Sequence, residues 1–346
     1  MKKIFIGIDF SKEKFDATVI KAEGVEERAV RQHEVFDNKV GGFRRLLKWV
    51  RNVVEEQDAS MWLFCGENTG GYSKALCNYL YGCGYDMWLE NALSIKRSSA
   101  LQRVKSDKVD SGIIAEYAMR NYDQMRLYKP LSRNLERLRE VFLYRHNLVK
   151  LKASMMTRKG EKQITQEKSD ISRFMVMSSK HLISEFNKKI AECDKRIQQI
   201  IDEDEELQRN FEIITSVPGV GVQNAVCLMV YTDNFGRFNY NSRKIACYYG
   251  VAPFGRESGT SVNTPAHVSP FANKLIKSLL TQAALASVNF CPQMAIYYHR
   301  LVEAGKKKPV AVNNVKNKLL HVVTAMVRKG EKYNPDYDYH AAIEAA

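Results

Sequence analysis

The N-terminal third of the chain alternates between two hydrophobic rhythms. Residues 3–9, KIFIGID, are apolar on both faces, as a central buried strand requires. KFDATVI (14–20) and RAVRQHEVF (28–36) follow at hairpin-like spacing and predict a meander. The period then lengthens: GGFRRLLKWVRNVVEE (41–56) places apolar residues three and four apart and predicts an amphipathic helix. A second buried strand, MWLFCGE (61–67), a helix at 72–82, a strand at 85–90 and a helix at 107–121 complete the unit. Three early strands, then strands alternating with helices, predict an α/β unit of the RNase H-like type over residues 1–128.

Pro130 marks a boundary. Between Ser132 and Asn210 no strand pattern is visible. Ile183, Phe186, Ile190, Cys193, Ile197, Ile200 and Leu207 repeat as a heptad seam, with Asp204 in the one polar slot. An earlier helix carrying Leu135, Leu138, Phe142 and Val149 is placed to run antiparallel, with residues 158–170 as the polar tip. Residues 129–208 therefore read as a helical coiled-coil region. Such a hairpin serves equally well within a monomer or as an oligomer contact.

From residue 209 the chain reads as mostly α. SVPGVGVQNA (216–225) has Pro218, Gly219 and Gly221 in a tight turn opening a helix, as in elements that present backbone N–H groups to phosphate. Plain helix starts look the same. Further helices at 270–287 and 309–330 carry much of the late basic charge, and Lys306, Lys307 and Lys308 form a run suited to a solvated loop or a phosphate contact.

Composition narrows the partners. The 346 residues include 53 Lys and Arg against 39 Asp and Glu, a net charge of +14. A surplus of that size points to a polyanion, because neutralising phosphates releases counterions. The seven cysteines are scattered, odd in number and without a C-x-x-C pair, so they read as reduced core thiols rather than a disulfide frame or zinc site. No apolar stretch reaches the ~20 residues a membrane span needs, and Asp9 interrupts the N-terminal apolar run too early for a signal peptide. The expected location is the cytoplasm.

Four acids carry the first candidate chemistry. Asp9 ends the first buried strand and Glu67 ends the later one; Asp107 and Asp110, three apart, share one face at a helix start. In an RNase H-like sheet those strands lie side by side. Clustered carboxylates repel unless cations sit between them, and hard oxygen donors suit Mg²⁺, with two ions expected for phosphoryl transfer. Each acid alone has a structural explanation as a turn, surface or helix-start residue. Ser258, in the loop RESGTS, is a weak nucleophile without a base, metal or nearby cations. Arg256 is placed to hold a phosphate; His267 makes no triad by spacing.

Six segments occur together in one order: GIDFSK, ENTGGY, KSDKVDSG, SVPGVG, YYGVAPFGRESG and ANKLIKSLL. In that order they resemble the DEDD-type insertion-sequence transposases of the IS110 family, which are also described as bridge-RNA-guided recombinases. The resemblance implies a RuvC-like domain, a helical coiled coil, and a C-terminal transposase domain over 209–346. It implies that Asp9, Glu67, Asp107 and Asp110 bind Mg²⁺. It also implies a nucleophilic serine in a Ser-Ser-Gly-Gly-like loop after a G-[LV]-x-P run. Here the run is GVAP and the loop reads Glu257, Ser258, Gly259, Thr260, so the first Ser and second Gly of the pattern are missing. The nucleophile falls on Ser258, with Ser261 as a backup.

The implied activity is recombination of donor and target DNA, specified by a noncoding bridge RNA. The implied assembly is a homo-oligomer, dimer or tetramer, with composite active sites, in a bacterial or archaeal cell and associated with the nucleoid. Attack by Ser258 conserves the phosphodiester energy in a phosphoserine–DNA bond; water would discard it. A RuvC-type structure-selective endonuclease using water shares the acids but forms no adduct. A non-catalytic nucleic-acid-binding protein would tolerate Asp110→Asn.

Overall fold

The computed structural model describes residues 4–21, 31–55, 58–68, 70–98, 106–164, 169–258, 262–268 and 272–336. The side chains at 159, 161–164, 255–258 and 262–267 lie outside that description. The chain divides into two compact units, Met1–Pro130 and Leu131–Ala346.

The first unit is built on a five-stranded sheet of β1 (Ile4–Phe10), β2 (Lys14–Lys21), β3 (Arg31–Asp37), β4 (Trp62–Glu67) and β5 (Met87–Glu90). Their order is β3-β2-β1-β4-β5. The first three pair antiparallel, whereas β4 runs parallel to both β1 and β5. This is the RNase H-like arrangement. Short connections suffice for the meander; the parallel pairs require helical crossovers. Helices α1 (Val40–Val53), α2 (Gly71–Gly82), α3 (Ala92–Ser98) and α4 (Asp107–Arg120) lie between and after the strands. The short α3 has no counterpart in the sequence reading.

Alternation sorts each strand between two cores. Ile4, Ile6, Ile8, Phe15, Ala17, Trp62 and Phe64 pack with Phe43, Leu46, Leu47 and Val50, the i, i+3, i+4, i+7 stripe of α1. On the other face Phe5, Leu63, Cys65 and Trp88 pack with Ile95, Ile114 and Ala118 of α3 and α4. Burying each of the large side chains contributes about 1.5–3 kcal/mol.

The second unit begins with two long antiparallel helices, α5 (Arg133–Ile164) and α6 (Asp170–Asp202). Arg145 holds Asp194 through Nε and a second guanidinium nitrogen at 2.6 and 3.1 Å, and Arg137 meets Glu203 at 2.6 Å. The expected seam is buried from Cys193 to Ile200 and half-buried at Ile183, Phe186 and Ile190. It does not continue through Asp204 on one helix. Asp204 caps α7 (Glu205–Thr215), accepting from the Leu207 amide at 3.1 Å, so Leu207 belongs to the next helix. A carboxylate at an N-cap satisfies an otherwise unpaired amide, which a slot inside a helix cannot offer. Helix α5 also extends through Ile164, into the stretch expected to be the tip.

The remaining elements are α8 (Val222–Thr232), α9 (Ser242–Tyr248), the hairpin β6 (Pro253–Ser258) and β7 (Val262–Val268), then α10 (Lys274–Phe290), α11 (Pro292–Glu303) and α12 (Lys308–Lys329). Leu135, Leu138, Phe142, Ile197 and Ile200 share one core with Val226, Ile276, Leu280, Val315 and Leu319. The base of the helical hairpin and the C-terminal helices are therefore one packed body. Gly219, at φ +93°, lies against α10; a Cβ there would come within 2.3 Å of the Ser287 amide nitrogen.

Candidate active site

Strand polarity and one glycine assemble the acids. Because β1 and β4 are parallel neighbours with Ile8 opposite Gly66, Asp9 and Glu67 stand beside each other at the carboxyl ends of the strands. Both belong to the α4 face of the sheet, the face that also carries Phe5, Leu63 and Cys65. Helix α4 reaches that face because residue 7 has no side chain. A Cβ on Gly7 would sit 2.1 Å from the Ser111 carbonyl oxygen and 2.3 Å from the Ala115 nitrogen. Ser106 caps α4, accepting from the Val109 amide at 3.3 Å, and sets Asp107 and Asp110 in the first turn.

The electrostatics report the convergence. Partial burial and the neighbouring charges of Asp110, Asp107, Glu67 and Asp16, in that order, push the Asp9 carboxyl up to about 6. Repulsion of this kind is what a bound cation relieves. The donors are all carboxylate oxygens, which fits a hard divalent ion. The side chains are not closed around one, however: among the described residues no three His, Cys, Asp or Glu groups stand at the spacing of a ligated ion. Asp107 is exposed and 4.0 Å from Lys14 Nζ.

The α4 face holds polar residues that the sequence reading did not single out. Asp16 lies opposite Asp9 across β1 and β2 and is buried. Its Oδ1 is 2.7 Å from His33 Nε2 on β3. Thr18 and Ser111 share a buried hydroxyl–hydroxyl bond of 2.7 Å, and Arg31 pairs with Glu116, so both β2 and β3 are tied to α4. The available signal was alternation: Asp16 and Thr18 fall on one face of KFDATVI, the face opposite Phe15 and Ala17.

Ser258 belongs to the second unit. It ends β6 and pairs with Val262, the first residue of β7, so it borders the tip of the hairpin. Residues 259–261, including Ser261, lie outside the described residues, as do the side chains of Arg256, Ser258 and His267. Arg256 pairs with Thr264, next to a register shift between Phe254 and Arg256. At the root of the hairpin, Asn313 Nδ2 donates to the Val251 carbonyl at 2.9 Å. Lys306, Lys307 and Lys308 are exposed at the turn between α11 and α12.

A five-stranded sheet of this order, with acids gathered around the ends of its central parallel strands, is a RuvC-like, RNase H-like domain. The family comparisons agree over most of the chain. A transposase model of the DEDD, IS110 type matches residues 6–161, and the model described as "Transposase IS116/IS110/IS902 family" matches residues 211–299. The chain belongs to the DEDD-type transposases of the IS110 family and is an enzyme acting on DNA.

Among curated proteins, the "Pilin gene-inverting protein" of Moraxella bovis is 25% identical over 341 residues, covering 96% of this chain and 98% of that protein. The "Insertion element IS110 uncharacterized 43.6 kDa protein" of Streptomyces coelicolor is 32% identical over 121 residues, 35% of this chain and 29% of that protein. Among solved structures, Thermus thermophilus RuvC is 14% identical and covers 36% of this chain and 99% of its own, at a TM-score of 0.26. A likeness at that score carries no weight, and the fold class rests on strand order and the family match. Among the described residues no helix is long and apolar enough to cross a membrane.

Proposed function

We propose that the chain recombines DNA through a phosphoserine intermediate formed by Ser258, with Asp9, Glu67, Asp107 and Asp110 holding Mg²⁺, as two ions. The observation that carries the acid half of this reading is the elevated Asp9 carboxyl, raised by burial and by the charges of Asp110 and Asp107 at the start of α4, of Glu67 at the neighbouring strand end and of Asp16. When bound, the metal supplies Lewis-acid polarisation of the scissile phosphate. The chain's own residues do the rest. The Ser258 oxygen attacks phosphorus, a serine–phosphate ester forms, the P–O3′ bond breaks, and the serine proton ends on the released 3′-hydroxyl. The ester keeps the bond energy available for rejoining to a second DNA end.

An element-encoded bridge RNA selects donor and target DNA, so base pairing reads sequence while protein reads shape and backbone. A dimer or tetramer brings the acids of one subunit to the serine of another. The chain works in a prokaryotic cytoplasm, at the nucleoid.

Incubating the protein with its RNA, DNA and Mg²⁺ is expected to give a covalent protein–DNA adduct that is absent in Ser258→Ala. An adduct that persists in this variant refutes the assignment. Mg²⁺-dependent cleavage without any adduct would establish the hydrolytic, RuvC-type alternative.

A further inference from the structure

The exposed lysines Lys306, Lys307 and Lys308 are one end of a longer basic feature. Gly305, at φ +82°, turns the chain out of α11, and α12 starts at Lys308. On α11 the Arg300 guanidinium carbon lies 5.5 Å from the centroid of the Tyr297 ring. Lys318, on α12, brings its Nζ to 4.6 Å from the same centroid. Two cations thus share one aromatic ring. Among the described residues, neither forms an ion pair with a carboxylate.

Solvated cations elsewhere on the chain behave differently. On α6, Lys188 pairs with Glu185 and Lys189 with Glu192. At Lys318, partial burial and the Arg300 charge both hold the ammonium below its usual pKa. Arg300 and Lys318 are both exposed, and like charges gathered on one surface oppose one another until an anion meets them. Lys308 and Lys318 are ten residues apart on one helix, a rise of about 15 Å. A face of that length suits more than one phosphate along a strand.

We infer that the 306–308 turn, Arg300, Tyr297 and Lys318 form a docking surface for the sugar–phosphate backbone of duplex DNA. The Tyr297 ring sets the spacing of the two cations. That role also separates duplex DNA from single-stranded RNA: the ring is engaged by cations rather than left free to stack an unpaired base, which single-strand recognition uses. The inference rests on the chain's acting on DNA and not on the serine chemistry.

The test is binding of a short fluorescein-labelled DNA duplex of arbitrary sequence to the full chain, followed by anisotropy across a KCl titration without Mg²⁺. In R300Q/K318Q, the loss of two phosphate contacts should lower the slope of log Kd against log [KCl] by about 1.8 and raise Kd about tenfold at moderate salt. Tyr297→Leu should weaken binding with little change in slope, and Lys188→Gln should bind as the unmodified chain does. A slope and Kd unchanged in R300Q/K318Q overturn the inference. So does a selective loss of affinity for a single-stranded RNA while duplex binding is retained.

If R300Q/K318Q melts at a reduced temperature, K306Q/K307Q/K308Q carries the same test from the exposed turn. An unchanged slope in that variant also overturns the inference. Adduct formation does not enter this readout. An adduct that persists in Ser258→Ala, with the slope lowered in R300Q/K318Q, fails the serine assignment alone; an adduct lost in Ser258→Ala, with the slope unchanged in R300Q/K318Q, fails the docking surface alone.

Discussion

The acids and the serine are mounted on different kinds of scaffold. Asp9 and Glu67 end the central strands of a five-stranded sheet with a hydrophobic core on each face. Asp107 and Asp110 open a helix seated directly on Gly7. Ser258 ends a strand of a separate two-stranded sheet, an arrangement with little independent stability in water. A cation site needs several donors held in fixed relation by rigid elements. The proposed nucleophile would need a supported arm to approach a phosphate, and the root of the hairpin is held by the Asn313 bond to Val251.

The largest effect on this contrast should come from Asp110→Asn, which removes one donor while leaving the N-terminal turn intact. DNA strand cleavage is expected to fall by at least about a hundredfold, measured on a substrate that the unmodified chain cuts, with an unaltered melting temperature. Full activity in this variant would detach the acid cluster from the chemistry.

Gly7→Ala comes next. The new Cβ would meet the backbone of α4, so the expected cost is about 3 kcal/mol, or roughly 10 °C in melting temperature. Cleavage should fall as the helix is displaced from the sheet. A calorimetric scan matching the unmodified chain would show that α4 does not rest on Gly7.

Asn313→Ala probes the hairpin side. Losing one hydrogen bond to the Val251 carbonyl should cost about 1 kcal/mol. Its greater effect should fall on adduct formation, with cation binding unchanged. An equal loss of both would remove the distinction between the two scaffolds.

The smallest effect is electrostatic. With the Asp9 carboxyl raised to about 6 from 3.8, the folded state binds a proton more tightly than the unfolded state. Metal-free stability should therefore decline as pH rises from about 4 to about 6 and then level off. A shift of that size corresponds to about 3 kcal/mol, reduced to about 1 kcal/mol by the solvent reaching a half-buried group. Asp9→Asn should flatten the dependence and raise the metal-free melting temperature at pH 7 by a few degrees. Cation binding should weaken below about pH 6, because Asp9 must lose its proton to coordinate.

Strand and helix periods were legible wherever one face of an element meets a core: KIFIGID, MWLFCGE and the stripe of α1 each appear where their patterns require. The acids at strand ends were legible for the same reason, since parallel neighbours bring their carboxyl ends together. Asp204 was misread because a heptad count does not register a carboxylate's preference for an N-cap over a helix interior. The Asp16–His33 contact is not legible because alternation and hairpin spacing show that the two strands pair but not the register that sets these side chains together.

The sequence by itself determined the order of the elements, the positions of the four acids, the basic surplus and the serine next to a glycine. Those follow from local period and residue chemistry. Only the tertiary structure decided that α4 packs onto Gly7, that Asp16 joins the Asp9 environment, and that the helical hairpin shares a core with the C-terminal helices. Each depends on contacts between residues far apart in the chain, and no local pattern encodes the partner.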